Sequence, residues 1–157
     1  MMHFKKILVP IDFSHFSKKA LEAAVQLAEC CGGKIYLLHV EEDIFHIKEI
    51  HKVHPPLEKI CDEMHKQFVG QKKRSLDQFK SYIPRNLFAG AVVKEGHAFV
   101  EIIKFAHSHG IDVIVMSCHG RSELRHAFLG STVDKVSRKA GCAVLIVKHK
   151  ECKFLQL

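Results

Sequence analysis

The sequence lacks any apolar run near the roughly 20 residues that a membrane-spanning helix needs, so we expect no membrane partner. Its first apolar stretch is interrupted by Pro10 and Asp12, which argues against a signal peptide. The six cysteines form no C-x-x-C pair. Cysteines in a chain without an export signal are typically kept reduced, and we therefore expect a cytoplasmic protein.

No nucleic-acid recognition motif accompanies the basic residues of the chain. The 24 Lys and Arg against 17 Asp and Glu give a net charge of +7, which attracts anions such as nucleotides. These charges are spread along the chain. We expect the single dense run, Lys72-Lys73-Arg74, to be a solvated face of a long helix. The sequence therefore predicts no nucleic-acid partner.

Histidine is abundant, with 13 residues, and several histidines gather with one cysteine between positions 46 and 65. Imidazoles and thiolates bind zinc and similar metals, but the spacing matches no closed metal motif. We expect a solvated histidine-rich surface and assign no metal ligand, and a metal- or thiol-responsive protein stays as an alternative. The residues of this cluster are His46, His51, His54, Cys61 and His65.

Five short apolar runs alternate with helical patterns along 157 residues, a length typical of one domain. This alternation predicts βαβ units that wind a parallel sheet with helices on both faces, an α/β fold. We expect a single domain over 1–157, with residues 148–157 as a C-terminal tail. The apolar runs span residues 7–9, 35–40, 88–93, 113–116 and 143–147.

Start and stop signals delimit four helices. Ser14 is a candidate N-cap for the first helix, because its hydroxyl can accept from first-turn amides. Glycine after a helix and proline before one are typical boundaries. The expected boundary residues are Gly32 and Gly33 after the first helix, Pro55 and Pro56 before the second, Pro84 after it, Gly110 after the third and Gly130 before the fourth.

The most informative motif joins the end of an apolar run to the start of the last helix. It reads Ser117-Cys118-His119-Gly120, then nine residues, then Gly130-Ser131-Thr132. Glycine lets backbone approach a ligand closely, and the first amides of a helix point outward without intrahelical partners. The pattern indicates a phosphate-binding loop. The alternative is a plain turn and helix start. A Walker loop and a Gly-x-Gly-x-x-Gly motif are both absent.

This motif and several strand segments resemble the universal stress protein family. The nucleotide-binding branch of that family carries Gly-x2-Gly-x9-Gly-Ser/Thr. Gly120, Gly130 and Ser131 match it, whereas Ser117 replaces the first glycine. A family member that binds no nucleotide and acts through protein contacts is the alternative. If the pocket works, Ser117→Gly should leave affinity unchanged or raise it. The resembling segments are residues 5–14, 35–40, 112–116, 119–122, 129–131 and 142–147.

The resemblance implies a doubly wound, Rossmann-like sheet of five parallel strands in the order 3-2-1-4-5, with four main helices. Strands one and four then lie side by side, and ligands bind outside their carboxyl ends. It implies a site for ATP, or for ADP or AMP, with Mg²⁺ accompanying the nucleotide. The residues implied around this ligand are Pro10, Asp12, Val40, Met116, Ser117, His119, Gly120, Arg121, Gly130, Ser131 and Thr132.

For two of these residues, the sequence is compatible with more than one role. Asp12 could accept from a ribose hydroxyl or the adenine edge, hold a phosphate-bound metal ion, or cap the following helix. His119 is expected to orient the loop by hydrogen bonding rather than to act as an acid or base. We find no convincing catalytic base, which rapid phosphoryl transfer needs. The expected protein is a nucleotide-binding stress-response regulator with at most slow hydrolysis, not an enzyme.

The last apolar run also indicates how two copies of the chain could associate. Ala143 to Val147 would lie at a sheet edge, and a long apolar edge invites pairing with another strand. In the family this strand pairs across a two-fold axis, so the resemblance implies a homodimer formed through the last strand.

Overall fold

A computed structural model describes residues 3–42, 71–72, 74–120 and 129–148. Within these residues, strands and helices alternate as the sequence predicts. In chain order the elements are β1 (Lys6–Pro10), α1 (His15–Cys31), β2 (Lys34–Glu41), α2 (74–80), β3 (Phe88–Glu95), α3 (Ala98–His109), β4 (Val113–Ser117), α4 (Ser131–Lys139) and β5 (Ala143–Val147).

The strands form one five-stranded parallel sheet in the order β3-β2-β1-β4-β5. This confirms the predicted fold and strand order. Pro10 at the end of β1 lies opposite Leu38 of β2, and Ile7 lies opposite Val113 of β4. The carboxyl end of β1 is therefore flanked by the carboxyl ends of β2 and β4. The segments predicted to form the site follow these strand ends.

Apolar side chains cover both faces of the sheet. On one face Leu21 of α1 and Phe79 of α2 belong to the same cluster as Val9. On the other face, which α3 and α4 cover, Val136 belongs to the cluster of Leu8. Successive side chains of a strand point to opposite faces, so a strand buried on both sides needs an unbroken apolar run. β1 has that run.

The ends of α1 and α3 match the predicted boundaries. Ser14 is the N-cap of α1, and its Oγ accepts from the Ser17 amide at 3.1 Å. Gly32 ends α1 and Gly110 ends α3, with left-handed φ angles of 62° and 59°. Glycine adopts this conformation without the steric cost that a Cβ imposes.

Lys72 differs from the expectation that its basic run is a solvated face. Its side chain is only 13% exposed, and its Nζ lies 3.2 Å from Glu41 Oε2. Arg74 is exposed. The residues of this basic run therefore differ in their surroundings, because Lys72 contacts a buried carboxylate at the end of β2 and Arg74 is exposed to solvent.

Some predicted features lie outside the described residues. Among the described residues, no helix is long and apolar enough to cross a membrane. The features outside them are the histidine-rich cluster at 46–65, the start of the second helix at Pro55 and Pro56, Arg121, and the tail beyond Lys148.

Candidate functional site

A cleft of about 380 Å³ opens at the carboxyl ends of β1, β2 and β4. This volume is within the usual range for small-molecule sites. The structure brings together at this cleft every described residue that the family resemblance implies around the ligand, and Arg121 lies outside the described residues. Those lining residues are Pro10, Asp12, Val40, Met116, Ser117, His119, Gly120, Gly130, Ser131 and Thr132.

Asp12 follows β1 and supports the start of α1. Its Oδ1 accepts from the Ser14 amide at 3.0 Å and from Ser14 Oγ at 2.6 Å. Ser14 Oγ in turn accepts from the Ser17 amide. Ser14 is thus the direct cap of α1, and Asp12 holds that cap in place while its carboxylate lines the cleft.

Gly120 lies directly against the same carboxylate. A Cβ built at position 120 would come within 2.6 Å of Asp12 Oδ2, closer than real Cβ atoms approach an oxygen. A side chain at position 120 would therefore force the Asp12 carboxylate or one of the two loops to shift, which glycine avoids. The two predicted site loops meet at this contact.

Ser117 fits its position without strain. It is 7% exposed, and its φ is negative, so the backbone does not demand glycine there. Its Oγ donates to the His119 carbonyl at 2.6 Å. The hydroxyl fixes the loop just before Gly120. His119 contributes this carbonyl to the loop geometry, and its ring lies edge-on to Phe16 with centroids 6.5 Å apart.

The N-terminus of α4 faces the cleft without a side-chain cap. Its N-cap is Gly130, which has no side chain, and no side-chain cap hydrogen bond is formed at this end among the described residues. The Gly130 amide itself donates to the Cys118 carbonyl at 2.9 Å, which anchors the helix start to the end of β4. Ser131 and Thr132 place hydroxyl groups beside these amides at the cleft. Uncapped first-turn amides together with the helix dipole favour a bound anion.

The opposite end of the cleft is acidic. Glu41 and Glu42 line it together with Val40 and Ala98. Glu42 Oε1 accepts from the Ala98 amide at 2.6 Å, so the end of β2 is tied to the first turn of α3. The cleft is thus lined by carboxylates beside the end of β2, in addition to that of Asp12, and by the first-turn amides of α4.

Three residues around this end form an ion cluster that the sequence analysis missed. His39 and Glu41 are each 3% exposed, and His39 Nε2 lies 3.1 Å from Glu41 Oε2. Lys72 contacts the same oxygen. We call His39, Glu41 and Lys72 the buried ion cluster. In the sequence, this cluster is indicated only by His39, a polar residue within the apolar run of β2. Among the described residues, no group of three or more side chains is arranged to hold a metal ion.

Comparison with known proteins identifies relatives that match most of the chain. The family model of the universal stress protein family matches residues 3–148. Universal stress protein YxiE of Bacillus subtilis is 32% identical over 147 residues, covering 92% of this chain and 99% of YxiE. Universal stress protein MJ0577 of Methanocaldococcus jannaschii is 28% identical over 156 residues, covering 94% of this chain and 96% of MJ0577.

Solved structures share the fold. The structure of MJ0577 has a TM-score of 0.80 to this chain at 29% identity and covers 94% of this chain and 98% of its own. A universal stress protein in complex with cAMP has a TM-score of 0.61 at 19% identity, covering 93% and 98%. A universal stress protein of Archaeoglobus fulgidus in complex with dAMP has a TM-score of 0.62 at 18% identity, covering 94% and 100%.

Proposed function

Because the chain belongs to the universal stress protein family, we propose that it binds an adenine nucleotide in the cleft at the sheet edge and acts as a nucleotide-dependent stress-response regulator. One observation carries this proposal. The uncapped amides of α4, the close-packed Gly120 and the ends of β1 and β4 converge on one cleft of about 380 Å³. That geometry suits a phosphate held by backbone.

Two proteins of the same fold support the ligand class, since they are complexes with cAMP and dAMP. We extend the class to ATP with Mg²⁺, and to ADP or AMP. In this arrangement Gly120, Gly130, Ser131 and Thr132 surround the phosphates. The remaining assignments are Met116 and Ser117 beneath the ribose, Pro10 and Asp12 beside the adenosine, and the Val40 backbone facing the base.

We propose that the protein acts as a regulator and that it hydrolyses ATP slowly, if it does so. The described residues of the cleft offer the carboxylates of Asp12, Glu41 and Glu42. Asp12 Oδ1 and Glu42 Oε1 accept from backbone amides, and we assign no catalytic base among the three. Turnover on the order of 1 per second or faster, typical of enzymes, would contradict this role. A malachite-green assay with excess ATP and Mg²⁺ measures it.

We also propose that the regulator is a homodimer formed through β5. This strand is an edge of the sheet, and Leu145 on it is 42% exposed. An exposed apolar edge strand favours pairing with a second copy of itself. We also propose that the protein is located in the cytoplasm, because its scattered cysteines are typical of thiols that are kept reduced.

Calorimetric titration with ATP and Mg²⁺ tests the binding proposal, with GTP and AMP as comparators. Gly130→Val is the test variant, because a Cβ at position 130 would lie 3.5 Å from the Cys118 carbonyl oxygen and 3.9 Å from His119 Cα. The methyl groups of valine would therefore crowd the loop that lines the cleft. Gly141→Val is the matched control, since a Cβ at Gly141 meets nothing within 4 Å and the residue does not line the cleft.

We expect micromolar ATP binding that Gly130→Val abolishes and Gly141→Val preserves. No binding up to about 1 mM, a free energy weaker than roughly 4 kcal/mol, would contradict the proposal. That result would favour a member of the family that acts through protein contacts alone.

A further inference from the structure

Glu41 brings a buried negative charge to the cleft in which we propose that a nucleotide binds. It is the last residue of β2, it is 3% exposed, and it lines the cleft together with Glu42. A buried carboxylate is costly unless a cation or hydrogen bonds compensate it. The same charge repels an anionic ligand, and it does so more strongly where water is excluded. A cleft that holds a phosphate therefore needs the charge of Glu41 to be offset.

Lys72 places a cation directly against this carboxylate. Its Nζ lies 3.2 Å from Glu41 Oε2, and its side chain is only 13% exposed. His39 Nε2 lies 3.1 Å from the same oxygen. Lysine brings a full positive charge in its ammonium group, whichever ring nitrogen of His39 carries the imidazole proton. Lys72 is therefore the residue that offsets the charge of Glu41.

The ammonium group of Lys72 is also held from the side of the β1–α1 loop. It lies 5.6 Å from the centre of the Phe13 ring, within the range in which an aromatic face attracts a cation. Phe13 follows Asp12 and has a left-handed φ of 64°, a strained conformation that persists where its surroundings fix it. Lys72 itself does not line the cleft. It therefore acts on a ligand through the groups that it contacts, and Glu41 is the charged one.

We propose that Lys72 is a positioning residue of the cleft, which holds the Glu41 carboxylate and offsets its charge so that the cleft accepts an anionic ligand. This inference rests on the proposed nucleotide binding. Without Lys72 the cleft carries one more uncompensated negative charge. The loss of affinity is then larger for an anionic ligand than for a neutral ligand of the same shape.

Ligands that share adenosine and differ in charge test this role. Adenosine, AMP and ATP with Mg²⁺ are titrated by calorimetry, at one ionic strength, into wild type, Lys72→Met, Glu41→Gln and the Glu41→Gln, Lys72→Met double variant. Methionine keeps the unbranched stem of the lysine, and glutamine keeps the shape of the glutamate. Lys80→Met is the matched control, because Lys80 lies on α2 outside the cleft with 40% of its side chain exposed. Its loss changes the net charge by the same amount.

We expect Lys72→Met to lower the affinities for AMP and ATP about tenfold more than the affinity for adenosine. This is the size of effect for charges on the order of 10 Å apart in a medium between protein and water. Glu41→Gln should shift the ratio of ATP to adenosine affinity in the opposite direction, because it leaves Lys72 unpaired. The double variant should restore the wild-type ratio, and Lys80→Met should keep it.

Equal losses of adenosine and ATP affinity in Lys72→Met would show that Lys72 has a structural role alone and would overturn the inference. An equal effect of Lys80→Met on the affinity ratio would overturn it as well, since the contact with Glu41 would then be irrelevant. If Lys72→Met does not fold, Glu41→Gln is the deciding variant, because an unchanged affinity ratio there contradicts the role of the pair.

Failure of nucleotide binding is distinguishable from failure of this inference. If wild type binds none of the three ligands, the proposed function fails. The compensation of Glu41 is then measured from the free energies of unfolding of wild type, the two single variants and the double variant. A double variant that loses less stability than the sum of the two single variants would still support the compensating role of Lys72. Additive losses would overturn it.

Discussion

The Cα of Gly120 and the carboxylate of Asp12 are packed so closely that no side chain fits between the two loops they belong to. A Cβ at position 120 would stand 2.6 Å from Asp12 Oδ2 and 3.7 Å from its Cγ. Asp12 cannot easily retreat, because its Oδ1 is bonded to the amide and hydroxyl of Ser14. The contact therefore fixes the distance between the ends of β1 and β4.

Gly120→Ala should weaken nucleotide binding about tenfold or more. The added methyl group must push the two loops apart, and overpacking of this kind costs about 1–3 kcal/mol. Gly141→Ala is the control, because its Cβ meets no atom within 4 Å. Titration calorimetry gives both affinities. An Asp12→Ala, Gly120→Ala double variant tests the contact itself, since removing the carboxylate should relieve the clash. Equal affinities of Gly120→Ala and wild type would contradict the prediction.

Ser117→Ala and Ser117→Gly should each weaken binding about three- to tenfold. Both remove the hydrogen bond that Ser117 Oγ donates to the His119 carbonyl at 2.6 Å, and one hydrogen bond contributes about 0.5–1.5 kcal/mol. The sequence alone favoured unchanged or higher affinity for glycine, on the assumption that a Cβ is in the way. The structure favours the opposite result, because the serine has a negative φ and ties the loop together.

The control for this pair is Ser137→Ala, which removes a similar bond to the Asp134 carbonyl on the exposed side of α4. Affinities are compared by calorimetry and folding by thermal unfolding. Tighter binding by Ser117→Gly would show that the Cβ obstructs the ligand after all, and would restore the expectation from the sequence.

The fold could be predicted from the sequence because its signals are local. An unbroken apolar run such as residues 7–9 predicts a strand buried on both faces, and Ser14 and Gly110 mark helix ends that the structure confirms. Glycines that follow a strand and precede a helix predict a loop at the sheet edge. Once the strand order is known, these loops must meet, and they do so at Gly120.

The acidic end of the cleft could not be predicted, because it depends on side chains that are distant in sequence. Glu42 contacts the Ala98 amide across 56 positions. His39 lies within an apolar run and looks like an ordinary core residue. Lys72 belongs to a basic run that indicates a solvated face. Only the folded chain shows that Lys72 reaches Glu41.

Leu145→Glu should convert the proposed dimer into a monomer. Leu145 is 42% exposed on the edge strand β5, and a charge there opposes strand pairing between two copies. Val93→Glu is the matched control, because Val93 is 41% exposed on β3, the opposite edge of the sheet. Sedimentation velocity at about 50 micromolar measures the oligomeric state. A monomeric wild type, or dissociation caused by Val93→Glu alone, would exclude β5 as the interface.

Cys142 should be alkylated more slowly than Cys30 in the folded protein. Burial raises the pKa of the Cys142 thiol, and the charge of Asp112 acts in the same direction, against the lowering effect of a backbone hydrogen bond. Cys30 is exposed. The thiolate is the reactive form, and a raised pKa leaves less of it at any pH near neutral. Labelling of Cys142 should therefore increase as pH rises.

Iodoacetamide labelling followed by peptide mass spectrometry resolves the two cysteines in one sample. The same reaction in denaturant is the control, because unfolding removes the burial and should bring the two rates together. Equal rates in the folded protein would contradict the prediction. A large difference that persists in denaturant would show that the neighbouring residues in the sequence, not burial against the fold, set the reactivity of Cys142.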